Sequence, residues 1–221
     1  FTGKSSRFKV PYHENDSEVE TRLAGRFNIY NTLGAIGAAL NEGISMDDAI
    51  EAVKDFQSVP GRFELIDEGQ SFAVVVDYAH TPDGLEKILG TAREITEGKI
   101  IAVFGCGGDR DRMKRPIMGS IAAEHADISI VTSDNPRTED PEKIIEDVVV
   151  GVEKVKKNKP DLYYEVIADR RQAIKRAVSL AKDDDIVIIA GKGHEDYQIL
   201  KDRTIHFDDR EEARNALKEV K

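Results

Sequence analysis

Cysteine is almost absent from this chain of 221 residues, which contains only Cys106. A single thiol cannot form an intrachain disulfide, so a reducing cytoplasm is the simplest setting for the protein. The sequence has no Cys-x-x-Cys pair, and metal-ligand spacing is not found among His80, His125, His194 and His206. We therefore expect no metal site within the chain.

Long hydrophobic runs are also lacking. The longest, such as residues 186–190, fall far short of the roughly 20 apolar residues of a membrane-spanning helix. No signal peptide is visible, and we expect neither a membrane span nor secretion. The chain begins with Phe1 and not with Met, which suggests a cut within a longer protein.

Basic residues are outnumbered, because 32 Lys and Arg face 42 Asp and Glu, for a net charge of −10. This balance argues against a nucleic-acid-binding scaffold, which usually carries a basic face. It leaves room for a local basic pocket that holds an anionic ligand. The hydrophobic fraction of 40% is that of an ordinary globular protein, and the length suits one large domain or one medium domain with part of another.

A cluster of helix- and strand-breaking residues, Ser-Val-Pro-Gly at 58–61, predicts a domain boundary. Before it, we predict two strands around a polar turn at residues 14–16, then two helices, the second capped by Ser45. These elements lie at residues 7–10, 18–22, 27–41 and 46–56. Their core is thin for an independent domain, so residues 1–59 are interpreted as the tail of a larger one. An amino-terminal extension of the main domain is the alternative.

After the boundary, apolar strand-like runs alternate with amphipathic helical stretches. We predict strands at residues 72–76, 100–104, 127–132, 163–167 and 185–190. We predict helices at residues 82–95, 114–125, 141–155 and 170–181, then a hairpin at 197–200 and 204–207 and a helix at 209–219. This alternation is typical of an α/β fold with a mostly parallel sheet and helices on both faces.

Polar clusters follow four of the predicted strands, at residues 77–82, 105–111, 133–137 and 191–196. Ligands bind open α/β sheets at the carboxyl ends of the strands. Ordinary turn and capping chemistry explains part of these loops. The recurrence of arginine, histidine, lysine and carboxylates beside glycines favours a binding site.

Three nucleotide-binding motifs are incomplete. Gly-Cys-Gly at 105–107 follows a strand, but Arg110 stands where a dinucleotide fingerprint needs its third glycine. Gly-Lys-Ser at 3–5 lacks the upstream glycine and strand of a P-loop, and Gly-Lys-Gly at 191–193 lacks the Ser or Thr that would hold magnesium. The chain therefore carries no complete triphosphate cradle.

Arg137, beside Asp134 and Asn135, suits an amino-acid-like ligand. A guanidinium pairs with a carboxylate through two parallel hydrogen bonds, and a carboxylate receives an ammonium group. The alternative is a helix-capping turn with a solvated arginine. Arg110 is a candidate for a second anion clamp, or for a surface ion-pair loop.

Four further polar residues each allow two interpretations. Glu195 could bind an ammonium group or be a solvated loop carboxylate. Lys192 could contact a phosphate or be solvated. Asp77 could hold ribose hydroxyls or cap the following helix, and Asn28 could contact adenine or cap a helix start.

Five motifs in order along the chain resemble those of the Mur ligases of peptidoglycan synthesis. They are Gly-Arg-Phe-Asn-Ile-Tyr-Asn at 25–31, Pro-Gly-Arg-Phe-Glu at 60–64, Asp-Tyr-Ala-His-Thr-Pro at 77–82, Asp-Asn-Pro-Arg at 134–137 and Gly-Lys-Gly-His-Glu at 191–195. The resemblance covers essentially the whole chain. It implies that residues 1–59 end the central ATP-binding domain and that residues 60–221 form the carboxy-terminal Rossmann-like domain.

The resemblance also implies an ATP-dependent ligase that joins meso-diaminopimelate to UDP-MurNAc-L-Ala-D-Glu through an acyl phosphate. The incoming amino acid would be held by Arg110, Asp134, Asn135, Pro136, Arg137, Gly191 and Glu195. ATP would be contacted by Asn28, Arg62, Asp77 and His80. The family's P-loop, Mg²⁺ ligands and UDP-sugar contacts belong to domains absent here. We expect this fragment to carry no catalytic residue of its own and to be inactive alone.

Two other functions stay open. One is a free-standing amino-acid-binding α/β module with no ligase domains. The other is a relative of folylpolyglutamate synthetase, which shares the ligase architecture but binds glutamate. The Asp-Asn-Pro-Arg cluster weighs against the second, and binding of glutamate in place of diaminopimelate would support it.

Overall fold

The computed structural model describes residues 5–12 and 15–220. The chain divides between Val59 and Pro60 into two compact units. This division falls within the predicted breaker cluster. The assignment of residues 1–59 to a larger central domain stays a prediction. None of the helices in the described residues is long and apolar enough to cross a membrane.

The amino-terminal unit is a hairpin followed by two helices. Its elements are β1 (Ser6–Tyr12), β2 (Asn15–Thr21), α1 (Arg26–Asn41) and α2 (Met46–Asp55), with β1 and β2 antiparallel. Ser45 caps α2 as predicted, because its side chain accepts a hydrogen bond from the Asp48 amide. The predicted polar turn is wrong for Asn15 and Asp16, which belong to β2. Its third member, Glu14, lies outside the described residues, as do Gly3 and Lys4.

The second unit is an α/β domain built on a six-stranded sheet, as the alternation predicts. Its strands are β3 (Glu64–Leu65), β4 (Ala73–Asp77), β5 (Ile100–Phe104), β6 (Ile128–Val131), β7 (Tyr163–Val166) and β8 (Ile186–Ala190). Its helices are α3 (Pro82–Ile95), α4 (Lys114–His125), α5 (Pro141–Lys156), α6 (Arg170–Leu180) and α7 (Asp209–Glu219). A small antiparallel hairpin, β9 (Tyr197–Ile199) and β10 (Thr204–His206), precedes α7.

The strand order is β3-β4-β8-β5-β6-β7, and only the pairing of β3 with β4 is antiparallel. Strand β8 returns from the far edge and inserts between β4 and β5, which creates a switch in strand order. The four predicted polar clusters therefore follow four adjacent strands, β4, β8, β5 and β6. A ligand site is expected at such a switch point.

The core lies on both faces of this sheet, where buried apolar side chains alternate along the strands. Val74, Val187 and Ile189 share one cluster with α6 and α7, whose buried residues include Ile174 and Leu217. The opposite face is covered by α3, α4 and α5, which complete the two helical layers predicted from the sequence. Burial on both faces explains why β5 and β8 are continuous apolar runs without polar alternation.

Candidate functional site

A polar cavity of about 450 Å³ lies in the second unit at the carboxyl ends of the strands. Its lining includes Tyr78, His80, Thr81, Gly105, Gly107, Arg110, Asp111, Lys114, Asp134, Asn135, Arg137, Gly191, Glu195 and Tyr197. The fold therefore brings together every predicted amino-acid contact except Pro136, which is buried beside the cavity. Lys114 and Tyr197 also line it, and the sequence analysis did not single them out.

Arg137 is held in a strained conformation with its side chain half-buried. Its φ of 53° lies in the left-handed region that non-glycine residues rarely adopt, and such strain concentrates at functional sites. Nη1 donates to the Gly108 carbonyl at 2.9 Å, and the Arg137 amide donates to Ile199 at 3.1 Å. Within the described residues we find no acceptor for Nη2 or Nε, which leaves two donors for a carboxylate. The capping alternative is wrong, because Asp140 caps the following helix.

Asp134 and Asn135 are buried and held by the β9 strand. Gln198 donates to the Asp134 carbonyl at 2.6 Å, and the Ile199 amide donates to Oδ1 of Asn135 at 3.0 Å. Nδ2 of Asn135 donates to Oε2 of Glu195 at 3.0 Å. The hairpin after β8 therefore fixes the Asp-Asn-Pro-Arg loop after β6.

Lys192 is completely buried, so the expectation of a solvated lysine is wrong. Its Nζ lies 3.2 Å from Oδ1 of Asn135 and 3.3 Å from Oε2 of Glu195. Glu195 is not a solvated carboxylate either, since only 18% of its side chain is exposed. The sequence periodicity did not indicate that Lys192 and Glu195 are buried, because their burial depends on a contact between two loops that are distant in sequence.

Arg110 is exposed, but its loop is anchored. The neighbouring Asp109 accepts hydrogen bonds from the Thr138 hydroxyl and amide, which hold the pKa of its carboxyl below the usual value. The Asp109 amide donates to Glu139 at 2.6 Å. Glu139 in turn pairs with Arg115, which is fully buried. The loops that carry Arg110 and Arg137 are thus joined, through residues that the sequence analysis missed.

Two glycines allow the loops after β5 and β6 to approach each other. A Cβ atom added to Gly108 would lie 1.9 Å from the Pro136 carbonyl oxygen, and one added to Gly107 would lie 2.8 Å from Nη1 of Arg137. The backbone clash at Gly108 therefore excludes a side chain, whereas a side chain at Gly107 would displace the Arg137 guanidinium. The Gly-rich run that superficially matches a dinucleotide fingerprint serves close loop packing in this protein.

Three of the predicted ATP contacts surround Tyr78. The Arg62 guanidinium lies 5.0 Å from the centre of the Tyr78 ring, and Nδ1 of His80 lies 2.8 Å from the Tyr78 carbonyl oxygen. Asp77 accepts hydrogen bonds from the Phe63 and Ala79 amides, both at 2.7 Å, while burial raises the pKa of its carboxyl. It does not cap the following helix, since that role belongs to Thr81 (N-cap of α3).

Asn28 belongs to the amino-terminal unit, where it is buried inside the first turn of α1. Its Nδ2 donates to the Ala24 carbonyl at 2.8 Å, and its Oδ1 accepts from Asn31 at 3.3 Å. The capping alternative is wrong, because the N-cap position is Gly25. Its contact with ATP stays a prediction.

Among the described residues, no group of three or more His, Cys, Asp or Glu side chains is arranged to hold a metal ion. Arg110, Arg137, Asp134 and Glu195 instead line one cavity together. This chemistry suits a zwitterionic organic ligand, since guanidinium groups and carboxylates lie within one cavity.

Comparisons with known proteins show which family the chain is similar to. Residues 61–193 match the family model described as "Mur ligase, glutamate ligase domain". A UDP-N-acetylmuramoyl-L-alanyl-D-glutamate–2,6-diaminopimelate ligase of Clostridium botulinum is 53% identical over 96% of the chain and 43% of its own length. The ligase of the same name from Bacillus cereus is 52% identical over 97% of the chain and 42% of its own length.

Solved structures give the same result. A 2,6-diaminopimelate ligase structure is 40% identical, covers 100% of this chain and 44% of its own length, and has a TM-score of 0.77. A UDP-N-acetylmuramate-alanine ligase from Thermotoga maritima is only 19% identical, with a TM-score of 0.63 over 99% of this chain and 44% of its own, and shares the fold. The chain spans less than half the length of these relatives.

Proposed function

The chain belongs to the Mur ligase family, and on that premise we propose that it is the amino-acid-binding portion of a longer ATP-dependent ligase. In this proposal the whole enzyme joins meso-diaminopimelate to UDP-MurNAc-L-Ala-D-Glu, and residues 60–221 hold the incoming amino acid. Residues 1–59 are the end of the central ATP-binding domain. The names of the relatives support this reaction, and the cavity supports the substrate.

The observation that carries the proposal is the presence of both cations and carboxylates in the lining of one cavity. Among the described residues, Nη2 and Nε of Arg137 have no acceptor, and Arg110 adds a second cation. Asp134 and Glu195 line the same cavity and offer oxygens to an ammonium group. The distal end of meso-diaminopimelate carries a carboxylate and an ammonium group on one carbon, which matches both kinds of donor and acceptor. L-Lysine lacks that carboxylate and leaves Arg137 without its partner.

The residues near Tyr78 fit a nucleotide. Arg62 is exposed above the Tyr78 ring, and His80 lines the cavity edge with Nδ1 tied to the backbone. Asp77 braces the loops on which Arg62 and His80 lie. ATP, when bound, supplies the phosphoryl group that activates the acceptor carboxylate. In this proposal the P-loop and the Mg²⁺ ligands belong to the rest of the enzyme, which acts in the cytoplasm.

Within this division of labour, the chain binds and orients the amino acid. The cavity would place the distal centre against Arg137 and Glu195, and leave the opposite amine facing outward to attack the activated carboxylate. Orientation of this kind converts an encounter of two reactants into an ordered reaction within one complex. The chain alone would bind the amino acid and form no amide.

Titration of the chain with meso-diaminopimelate, L-lysine and L-glutamate, followed by amide NMR shifts, tests the proposal. We expect selective shifts with meso-diaminopimelate at residues 105–111, 133–137 and 191–196. Equal shifts with L-lysine would contradict the role of Arg137, and a preference for L-glutamate would favour the folylpolyglutamate-synthetase alternative. Amide formation by this chain without further domains would contradict the division of labour and favour an independent enzyme.

A further inference from the structure

We propose that Lys192 is a positioning residue of the amino-acid site, whose ammonium group orients Glu195 and Asn135 toward the ligand. The inference rests on the proposed function, since Glu195 and Asn135 are assigned there to the amino acid. Lys192 does not line the cavity, so it acts on a ligand only through these two residues. Solvation does not describe its place in the fold, because its side chain is fully buried.

Burial is the first support for this role. Lysine is rarely enclosed by protein without a partner, because removing an ammonium group from water is costly. The Lys192 side chain has no exposed surface, and its Nζ is compensated by Oδ1 of Asn135 and Oε2 of Glu195. The Tyr197 ring adds a cation–π contact at 5.5 Å. All three compensating groups belong to residues that line the cavity.

The second support is the sharing of one carboxylate oxygen. Oε2 of Glu195 accepts from Nδ2 of Asn135 at 3.0 Å and lies 3.3 Å from Nζ of Lys192. Within the described residues we find no donor to Oε1 of Glu195. Two donors on one oxygen fix the rotation of the carboxylate and leave Oε1 as the acceptor for a ligand ammonium.

The third support is the backbone of the loop. Gly191 and Gly193 have φ values of +126° and +56°, and the Glu195 amide donates to the Lys192 carbonyl at 3.0 Å. A Cβ atom at Gly193 would lie 2.7 Å from Cβ of Tyr78. The two glycines therefore permit a turn that places Lys192 inside the protein and Glu195 at the cavity wall.

A double-mutant cycle tests the role directly. Lys192→Met keeps the length of the side chain and removes its charge, and Lys201→Met is the control at an exposed lysine outside the cavity. We expect Lys192→Met to weaken meso-diaminopimelate binding about thirtyfold, since Glu195 and Asn135 lose the group that orients them toward the ligand. In Glu195→Gln the same lysine substitution should add little, because Lys192 acts through the Glu195 charge.

A ligand-free measurement separates this inference from the proposed function. In Lys192→Met we expect the Asn135 side-chain amide and the Ile199 backbone amide to shift, since both bond to the same cluster. If the wild-type chain binds no meso-diaminopimelate but these resonances shift in Lys192→Met, the proposed function fails. The positioning of Glu195 and Asn135 by Lys192 then still stands.

Three outcomes overturn the positioning role. They are wild-type affinity in Lys192→Met, full additivity with Glu195→Gln, and unmoved Asn135 resonances. If Lys192→Met does not fold, Lys192→Gln takes its place in the same cycle, and Lys192→Arg serves as the variant that retains the cation. Thermal unfolding of each variant reports whether the fold is intact. We expect Lys192→Arg to bind meso-diaminopimelate more tightly than any folded variant with an uncharged residue at position 192.

Discussion

Arg115 and Glu139 form a two-pronged ion pair, with Nη2–Oε1 at 2.8 Å and Nη1–Oε2 at 3.0 Å. Arg115 has no exposed side-chain surface, and Asp147 provides a second carboxylate at 2.9 Å. Because the Asp109 amide also donates to Glu139, the pair joins the loops after β5 and β6. The arrangement of the cavity cations therefore depends on an ion pair outside the cavity.

The Arg115–Glu139 pair makes stability depend on pH. Hydrogen bonds from Arg115 lower the pKa of Glu139 from 4.5 to about 2. Because the folded pKa is lower than the unfolded one, the contribution of this carboxylate is complete above pH 4.5 and is lost as the pH falls toward 2. We expect the stability difference between the wild type and Glu139→Gln to narrow as the pH falls from 6 to 3. Urea unfolding across that range measures it.

Glu146→Gln is the matched control for this prediction, since Glu146 is an exposed carboxylate on the same helix as Asp147. Its effect on the free energy of unfolding should be small at every pH. A constant difference between the wild type and Glu139→Gln from pH 6 to pH 3 would contradict the assigned cause.

The close packing of the loops after β5 and β6 predicts that one added methyl group will lower stability. Gly108→Ala places Cβ against the Pro136 carbonyl oxygen, which belongs to the backbone of the Asp-Asn-Pro-Arg loop. We expect a loss of about 1–3 kcal/mol in the free energy of unfolding and weaker amino-acid binding. Gly90→Ala, in α3 with no atom within 4 Å of the added Cβ, should instead stabilise by about 0.5–1 kcal/mol. Equal effects of the two substitutions would disprove the packing argument.

The sequence predicts the layers of the fold better than it predicts the hydrogen bonds and ion pairs of the site. Apolar strands and amphipathic helices identify themselves by periodicity, and the carboxyl-end rule brings Arg110, Arg137 and Glu195 to one cavity. Strand β3 was not predicted from the sequence, because its two residues are too few to show a hydrophobic periodicity. The burial of Lys192 and Arg115 was also not predicted, because each side chain is buried beside a partner that only folding brings close to it. Residue type alone indicates exposed cations at both positions.

A second buried ion pair lies beside the carboxyl end of β8. Arg170 and Asp209 both have fully buried side chains and pair at 2.7 Å, while Nη2 of Arg170 also donates to the Ala190 carbonyl at the end of β8. Asp209→Asn should destabilise by roughly 3–5 kcal/mol in urea unfolding, because it leaves a buried guanidinium uncompensated. The double variant Arg170→Met with Asp209→Leu should lose much less stability than Asp209→Asn, because it leaves no buried charge without a partner.

The exposed pair of Lys175 and Glu219 is the control for that measurement, since its members are 50% and 53% exposed. Glu219→Gln should change stability by less than about 1 kcal/mol. If Asp209→Asn proved as mild as Glu219→Gln, the buried pair would not stabilise the end of β8 as described.

Burial also determines the reactivity of the single thiol. It raises the pKa of Cys106 to about 12, and only 3% of the residue is exposed. Because the thiolate is the reactive species, a disulfide reagent at pH 8 should label the folded chain only as fast as it unfolds. Labelling should become rapid in urea. Complete labelling within seconds under native conditions would show that the loop after β5 opens far more freely than its hydrogen bonds imply.

Recognition of the distal carboxylate gives the most direct functional prediction. Arg137 reaches the cavity with Nη1 fixed by Gly108, so the guanidinium is preoriented for a two-bond contact. Arg137→Ala should weaken meso-diaminopimelate binding by about 2–5 kcal/mol, and Arg137→Lys should also bind poorly because an ammonium group cannot form the parallel pair. Calorimetric titration measures both variants beside the wild type.

Arg203→Ala controls for loss of charge, because Arg203 is exposed and pairs only with the adjacent Asp202 among the described residues. It should leave the affinity unchanged. The residual affinity for L-lysine separates a recognition defect from a folding defect: in Arg137→Ala it should stay close to its wild-type value, since L-lysine offers no distal carboxylate to lose. An equal fall in affinity for both amino acids would instead indicate that Arg137 shapes the loop, and the discrimination would have to come from Arg110.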